Sequence, residues 1–363
     1  MSQVVDLQHG AGDSPHECVR PWLGAILPCA RPRAGVRGPG LRRRDGRRGG
    51  PRSGMTRRRR HPGPRHPGPQ PPPRPRAIFE TLTAVAPYSR LRLETEPAEI
   101  SMRVLDLIAP IGKGQRGLIV APPRAGKTTL LQQIAKAVST NHPDVSIIIL
   151  LVDERPEEVT DFRVTLGKCA EIAASSNDNS YREHVKLTEQ VLEKAKRMVE
   201  QKQDVLILFD SLTRMTRAYN NQLPSGGRTM SGGIDAKAFL GPRSFFGAAR
   251  AIENGGSLTI IGTVLVDTGS RMDQIIFEEF KGTGNMELYL ARELADRRIF
   301  PSYDIVKSGT RREELLYFEH EINGVRRLRR VLSDMKPMDA MEALLGRLKL
   351  HRTNAEFLKS IGG

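Results

Sequence analysis

Lysine is absent from residues 1–76, where 17 arginines stand against Asp6, Asp13, Glu17 and Asp45. That stretch carries a net +13 and leaves only +3 of the chain's formal +16 to the other 287 residues. The basic character therefore belongs to one end. Cysteine is scarce, with only Cys18, Cys29 and Cys169. This excludes a disulfide framework and a paired-cysteine zinc site, and it fits a reducing cytoplasm. No run of 18 or more apolar residues occurs, so no segment reads as a membrane-spanning helix. "PWLGAILPCA" (21–30) is short and follows Asp13 and Glu17, which makes it a poor signal-peptide core. No internal repeat is present.

Residues 1–76 hold scattered apolar side chains among many Pro and Gly, as in "PRSGMTRRRRHPGPRHPGPQPPPRPR" (51–76). Such a composition cannot repay the entropy of ordering, and it reads as a disordered, basic, low-complexity tail. The remainder is near neutral and long enough to bury a substantial core. Strands are expected at 117–120, at "VSIIILLV" (145–152), at "DVLILF" (204–209) and at "SLTIIGTVLV" (257–266). Helices are expected at 128–138, at 181–202, where Leu187, Val191, Leu192, Ala195, Met198 and Val199 form one stripe, and at 339–350. Strands alternating with helices predict an α/β domain with a largely parallel sheet flanked by helices. Residues 77–110 read as a connector, and 111–363 as the folded domain with a helical C-terminal part.

"APPRAGKT" (121–128) follows a strand and opens a helix, the context that a phosphate-binding loop requires. Pro123, Arg124, Ala125, Gly126, Lys127, Thr128 and Thr129 are the candidate nucleotide contacts. Amide N–H groups and the helix N-terminus attract phosphate oxygens, Lys127 can reach the β- and γ-phosphates, and the Thr128 hydroxyl can ligate Mg²⁺. Ala121 stands where the general pattern has Gly. Asp210 closes the strand "DVLILFD" at the edge that faces the same crevice, which suits Mg²⁺ binding. A strand-end aspartate equally caps a following helix. "LVDERPEE" puts Glu154 at the end of another strand, where a carboxylate can orient or deprotonate water; Glu157 and Glu158 also suit a helix N-terminus.

From about residue 77 onward the chain resembles the bacterial transcription termination factor Rho family. The likeness rests on "RVLDLIAPIGKGQRGLIVAPPRAGKT", "VDERPEEVTDF", "DSLTRMTRAYN", "DTGSRMDQIIFEEFKGTGNMEL", "RRIFPSYDI" and "SGTRREELL", in that order. It implies a RecA-like P-loop fold, a homohexameric ring, and an ATP- and Mg²⁺-using, RNA-dependent ATPase that acts as an RNA/DNA helicase; the alternatives are another RecA-like hexameric ATPase of the rotary or secretion type, which would not be expected to carry "DTGSRMDQ" or "FKGTGNMEL", and a truncated RNA-binding relative without motor activity. It also implies single-stranded RNA, RNA polymerase and termination cofactors as partners, in the cytoplasm. Carried over residue by residue, it makes Glu154 the catalytic carboxylate with Arg155 near it. It puts Lys127 and Thr128 at the phosphates and Mg²⁺, and Asp210 on Mg²⁺. Arg311 becomes an arginine reaching into the neighbouring subunit's site, Arg298 a second arginine at that boundary, and Phe300 the adenine platform. Arg228 and Ser231 in "LPSGGRTMSGG" (223–233), with Arg271 and Lys281, would grip RNA in the central hole, as the family's two pore loops do. On composition alone the Gly/Ser-rich stretch equally suits a passive linker.

The family pattern places a cold-shock-like oligonucleotide-binding barrel before the ATPase domain, and no such module is recognisable here. Upstream of 77 there is no run of alternating strands, and Trp22 is the single aromatic before Phe79. The tail reads either as a flexible polycation attracting RNA without sequence preference, or as upstream sequence of a GC-rich gene translated in error.

Overall fold

The computed structural model describes residues 78–223 and 232–362, all within the compact unit Pro72–Gly363. The tail reading for 1–76, together with Arg228 and Ser231, falls outside the described residues. The chain order is β1 (Ala84–Val85), β2 (Arg90–Leu91), α1 (Ile100–Ile108), β3 (Ile111–Gly112), β4 (Arg116–Ala121), α2 (Lys127–Asn141), β5 (Ser146–Glu154) and α3 (Pro156–Leu166). It continues with β6 (Glu171–Ser176), α4 (Tyr181–Glu200), β7 (Asp204–Asp210), α5 (Leu212–Gln222), α6 (Leu240–Gly247), β8 (Arg250–Ile252), β9 (Ser257–Leu265) and α7 (Arg271–Lys281). The last elements are β10 (Met286–Tyr289), α8 (Arg292–Asp296), β11 (Gly309–Thr310), α9 (Glu319–Ser333), α10 (Pro337–Leu348) and α11 (Asn354–Gly362).

The main sheet runs β11-β10-β4-β9-β7-β5-β6, parallel from β10 to β6, with antiparallel β11 on one edge. The continuous apolar runs of β5 and β7 arise because both faces of a parallel sheet are covered. Successive side chains leave a strand on opposite sides. Ile147, Ile149, Leu151, Leu206 and Leu208 accordingly enter one core, with Leu105, Ile134, Phe162, Leu328 and Phe357. Ile148, Leu150, Val152, Ile207 and Phe209 enter the other, with Val191, Met215, Phe246 and Phe280. The result is a helix–sheet–helix sandwich of the RecA-like kind. α4 starts on a reciprocal cap: the Glu183 N–H donates to Ser180 Oγ, and the Ser180 N–H donates to the Glu183 carboxylate at 2.8 Å.

Of the segment expected to be a connector, 77–110, the described residues 78–110 are packed into this unit. β1 pairs with β8, β2 pairs with β3, and Met102–Ile108 of α1 are all buried, charged Arg103 and Asp106 included. Arg103 donates to Asn354 Oδ1 and to the carbonyls of Pro97 and Leu348, which ties α1 to α10 and α11. Asp106 Oδ2 accepts the N–H groups of Leu93 and Glu94 at 2.9 and 2.8 Å. Among the described residues no helix is long and apolar enough to cross a membrane.

Candidate nucleotide site

In an open parallel sheet, ligands sit beyond the C-terminal strand ends, and the candidate residues converge there. β4 runs directly into the loop that opens α2, in which Arg124 and Gly126 both adopt left-handed backbone, with φ of 64° and 90°. A Cβ on Gly126 would meet no atom within 4 Å. Glycine there answers the backbone angle and not crowding. β7 pairs with β5 so that Asp210 lies opposite Leu151, three residues before Glu154. Lys127 Nζ reaches both strand ends, donating to Asp210 Oδ1 at 2.7 Å and lying 3.5 Å from Glu154 Oε1. The Thr263 hydroxyl of β9 donates to the same Asp210 oxygen at 2.8 Å.

The cluster is electrostatically tight. Burial draws the Lys127 ammonium down, but the Asp210 and Glu154 carboxylates outweigh it, and its pKa lies above the ordinary lysine value. Burial, reinforced by the charge of Asp210, pushes the Glu154 carboxyl well up against the pull of Lys127 and Arg214. Arg214 was not among the residues expected from the sequence. It sits in the first turn of α5, with Nε 3.0 Å from Glu154 Oε1 and one amino group 3.3 Å from Asp153 Oδ2. No periodicity singles it out; it arrives there because α5 begins right after strand-end Asp210, so that its first turn lies over the neighbouring strand end.

Asp210 Oδ2 is buried and has no hydrogen-bond partner among the described residues. A lone buried carboxylate oxygen is a donor that Mg²⁺ takes together with phosphate oxygens, water and a hydroxyl such as that of Thr128 in the first turn of α2. The residues fit that ion.

A cavity of about 260 Å³ opens beside the loop, lined by Ala125, Gly126, Thr129, Gln133, Phe300 and Tyr303 among others. The Ser302 hydroxyl donates to the Ala125 carbonyl at 2.7 Å, fastening the Phe300 segment to the loop. Phe300 is 51% exposed, an aromatic face open to a partner. Arg298, two residues before it and with a left-handed φ of 61°, is exposed, as is Arg155, which directly follows Glu154.

Arg311 is elsewhere. It follows β11, and its N–H donates to the Asn285 carbonyl while the Asn285 side chain accepts the Arg116 N–H. That level is the start of β4, and five residues of strand, about 17 Å, separate it from the end that carries the loop. Arg271 and Lys281 open and close α7, about 15 Å apart along its axis. The start of α7 is fixed by Arg217, whose Nε donates to Asp273 Oδ1 at 2.9 Å, and by Thr268, whose hydroxyl donates to Asp273 Oδ2 at 2.6 Å. Lys281 lies over the Phe277 ring at 5.5 Å.

A sheet of this order with a phosphate loop and two strand-end carboxylates defines a RecA-like P-loop ATPase. The nucleotide-binding domain of the ATP synthase alpha/beta family matches residues 101–310. Solved structures share the fold at low identity. A type III secretion system ATPase of pathogenic bacteria is 22% identical with a TM-score of 0.62, covering 72% of this chain and 83% of its own. An ATP synthase subunit from Nanoarcheaum equitans is 18% identical with a TM-score of 0.64, covering 81% and 80%.

Sequence relatives are much closer. Transcription termination factor Rho of Aquifex aeolicus is 59% identical over 79% of this chain and 66% of its own length. The Haemophilus influenzae protein of that name is 54% identical over 79% and 68%. The chain belongs to the transcription termination factor Rho family, and spans about two thirds of the length of these two relatives.

Proposed function

We propose that this chain hydrolyses ATP within a homohexameric ring and uses that hydrolysis to draw single-stranded RNA through the ring, separating RNA from DNA in transcription termination. The observation that carries the reading is the division of the site. A lysine and two carboxylates are gathered at one edge of the sheet, and Arg311 is held at the other, about 17 Å away. An arginine so placed serves a neighbouring subunit's nucleotide.

In this reading the loop amides of 123–129 and Lys127 bind the phosphates, and Phe300 takes one face of the adenine. Glu154, aimed by Arg214, orients the attacking water and accepts its proton. Thr128 and Asp210 would hold Mg²⁺, which neutralises charge on the β- and γ-phosphates. Arg155 stands beside Glu154, and Arg311, with Arg298 as a second arginine at the boundary, stabilises charge on the transferred phosphoryl group from the adjoining subunit, an effect worth about 10³–10⁵ in rate in related systems. Arg228, Ser231, Arg271 and Lys281 contact the RNA backbone, where six copies of a basic loop track phosphates without reading bases. RNA polymerase is the further partner that the family relationship supports.

Mass photometry with ATP and RNA, combined with unwinding of an RNA/DNA duplex bearing a single-stranded RNA extension, tests the reading. The expected result is a ring of six that unwinds only with ATP. A monomer with full hydrolytic activity would overturn it.

A further inference from the structure

Arg311 combines a fixed backbone with a free side chain. Its guanidinium is exposed, has no hydrogen bond or ion pair among the described residues, and contributes like charge at Arg116. Its backbone is anchored on both sides. The Arg311 N–H donates to the Asn285 carbonyl at 2.8 Å, and the Thr310 hydroxyl donates to the Pro110 carbonyl at 2.7 Å. The remaining anchor is Arg329 of α9. One amino group donates to the Ser308 carbonyl at 3.2 Å, and the other to Glu313 Oε2 at 3.0 Å and to the Ile108 carbonyl. Arg329 thus grips the chain three residues before Arg311 and two residues after it. Its own helix is held by Val325, Leu328 and Leu332 in the core.

We propose that Arg329 is a positioning residue for Arg311. It clamps the 308–313 loop against α1 and α9, so that the free guanidinium is presented to the adjoining subunit at a fixed angle. A planar fork can serve three acceptors in different directions, which an ammonium on a flexible stem cannot do with the same rigidity. The inference rests on the proposed role of Arg311 between subunits.

A double-mutant cycle on RNA-stimulated ATP hydrolysis separates the two ideas. Arg329→Met, Arg329→Lys, Arg311→Ala and the Arg311→Ala/Arg329→Met pair are compared for kcat, KM for ATP and ring assembly. A displacement of about 1 Å at a reacting centre costs on the order of 10² in rate. Arg329→Met should therefore lower kcat about 10- to 100-fold, with KM for ATP within about threefold, and Arg329→Lys should fall between. In the Arg311→Ala background the same change should move kcat by less than about twofold, because residues acting through one another are not additive. An undiminished further loss in the double variant, or a wild-type kcat for Arg329→Met, overturns the inference while leaving Arg311 in place. A wild-type kcat for Arg311→Ala overturns the underlying reading. If Arg329→Met does not assemble, Glu313→Gln loosens the same guanidinium and takes its place in the cycle, with the same outcomes.

Discussion

Arg214→Met removes the guanidinium that pins the proposed catalytic carboxylate and leaves most of the apolar stem. Breaking a fully buried ion pair by deleting one partner costs about 3–5 kcal/mol. Here the Arg214 side chain is 26% exposed, and Lys127 stays 3.5 Å from the same Glu154 oxygen. Solvent screening and the surviving cation bring the cost down to about 2 kcal/mol. At roughly 2–4 °C per kcal/mol for a domain of this size, nucleotide-free protein should melt about 4–8 °C lower. The released carboxylate also loses its aim, so kcat should fall on the order of 10- to 100-fold with KM for ATP little changed. Thermal unfolding without nucleotide and RNA-stimulated ATP hydrolysis read the two effects separately. A lower melting temperature with native kcat would refute the claim that Arg214 aims Glu154. An unchanged melting temperature would refute the energetic argument.

Three further outcomes follow from single residues. Burial, opposed by the charge of Arg90 and by the N–H groups of Glu94 and Leu93, pushes the Asp106 carboxyl up to about 6 from 3.8. The folded state then holds the proton more tightly than the unfolded one, so this group's stabilisation is complete below about pH 4 and about 3 kcal/mol is lost as pH rises through 6. In urea unfolding the stability of Asp106→Asn relative to the native chain should improve by about 3 kcal/mol between pH 4 and 7; parallel curves would exclude burial as the cause. Phe300→Ala should raise KM for ATP about tenfold with kcat nearly unchanged, as loss of a stacking face does, and an unaltered KM would remove Phe300 from the base site. Gly126→Ala should cost about 1–2 kcal/mol in chemical denaturation from its φ alone, and a neutral result would mean that the loop relaxes without strain.

What the sequence makes legible here is whatever depends on local pattern. β5 and β7 are uninterrupted apolar runs, and the loop between β4 and α2 carries its own spacing, so Lys127, Asp210 and Glu154 could be assigned to one edge before any coordinates. Arg103, Asp106 and Arg214 follow a different logic. Each is polar, and each is buried or half-buried through partners outside its own element, Asn354 for Arg103, the Leu93 and Glu94 N–H groups for Asp106, and Glu154 for Arg214. No periodicity encodes such pairings. β1 and β2 are two residues long, too short for alternation to register, and this is why 77–110 reads as a connector. The position of Arg311 opposite the phosphate loop depends on β11 running antiparallel to β10, a matter of topology and not of composition.

The rate of ATP hydrolysis with and without single-stranded RNA, across a range of salt concentrations, decides whether this chain is an RNA-driven motor. RNA should raise the rate of the native chain, salt should weaken this stimulation, and Glu154→Gln should abolish it. An identical rate with and without RNA at every salt concentration would contradict that reading.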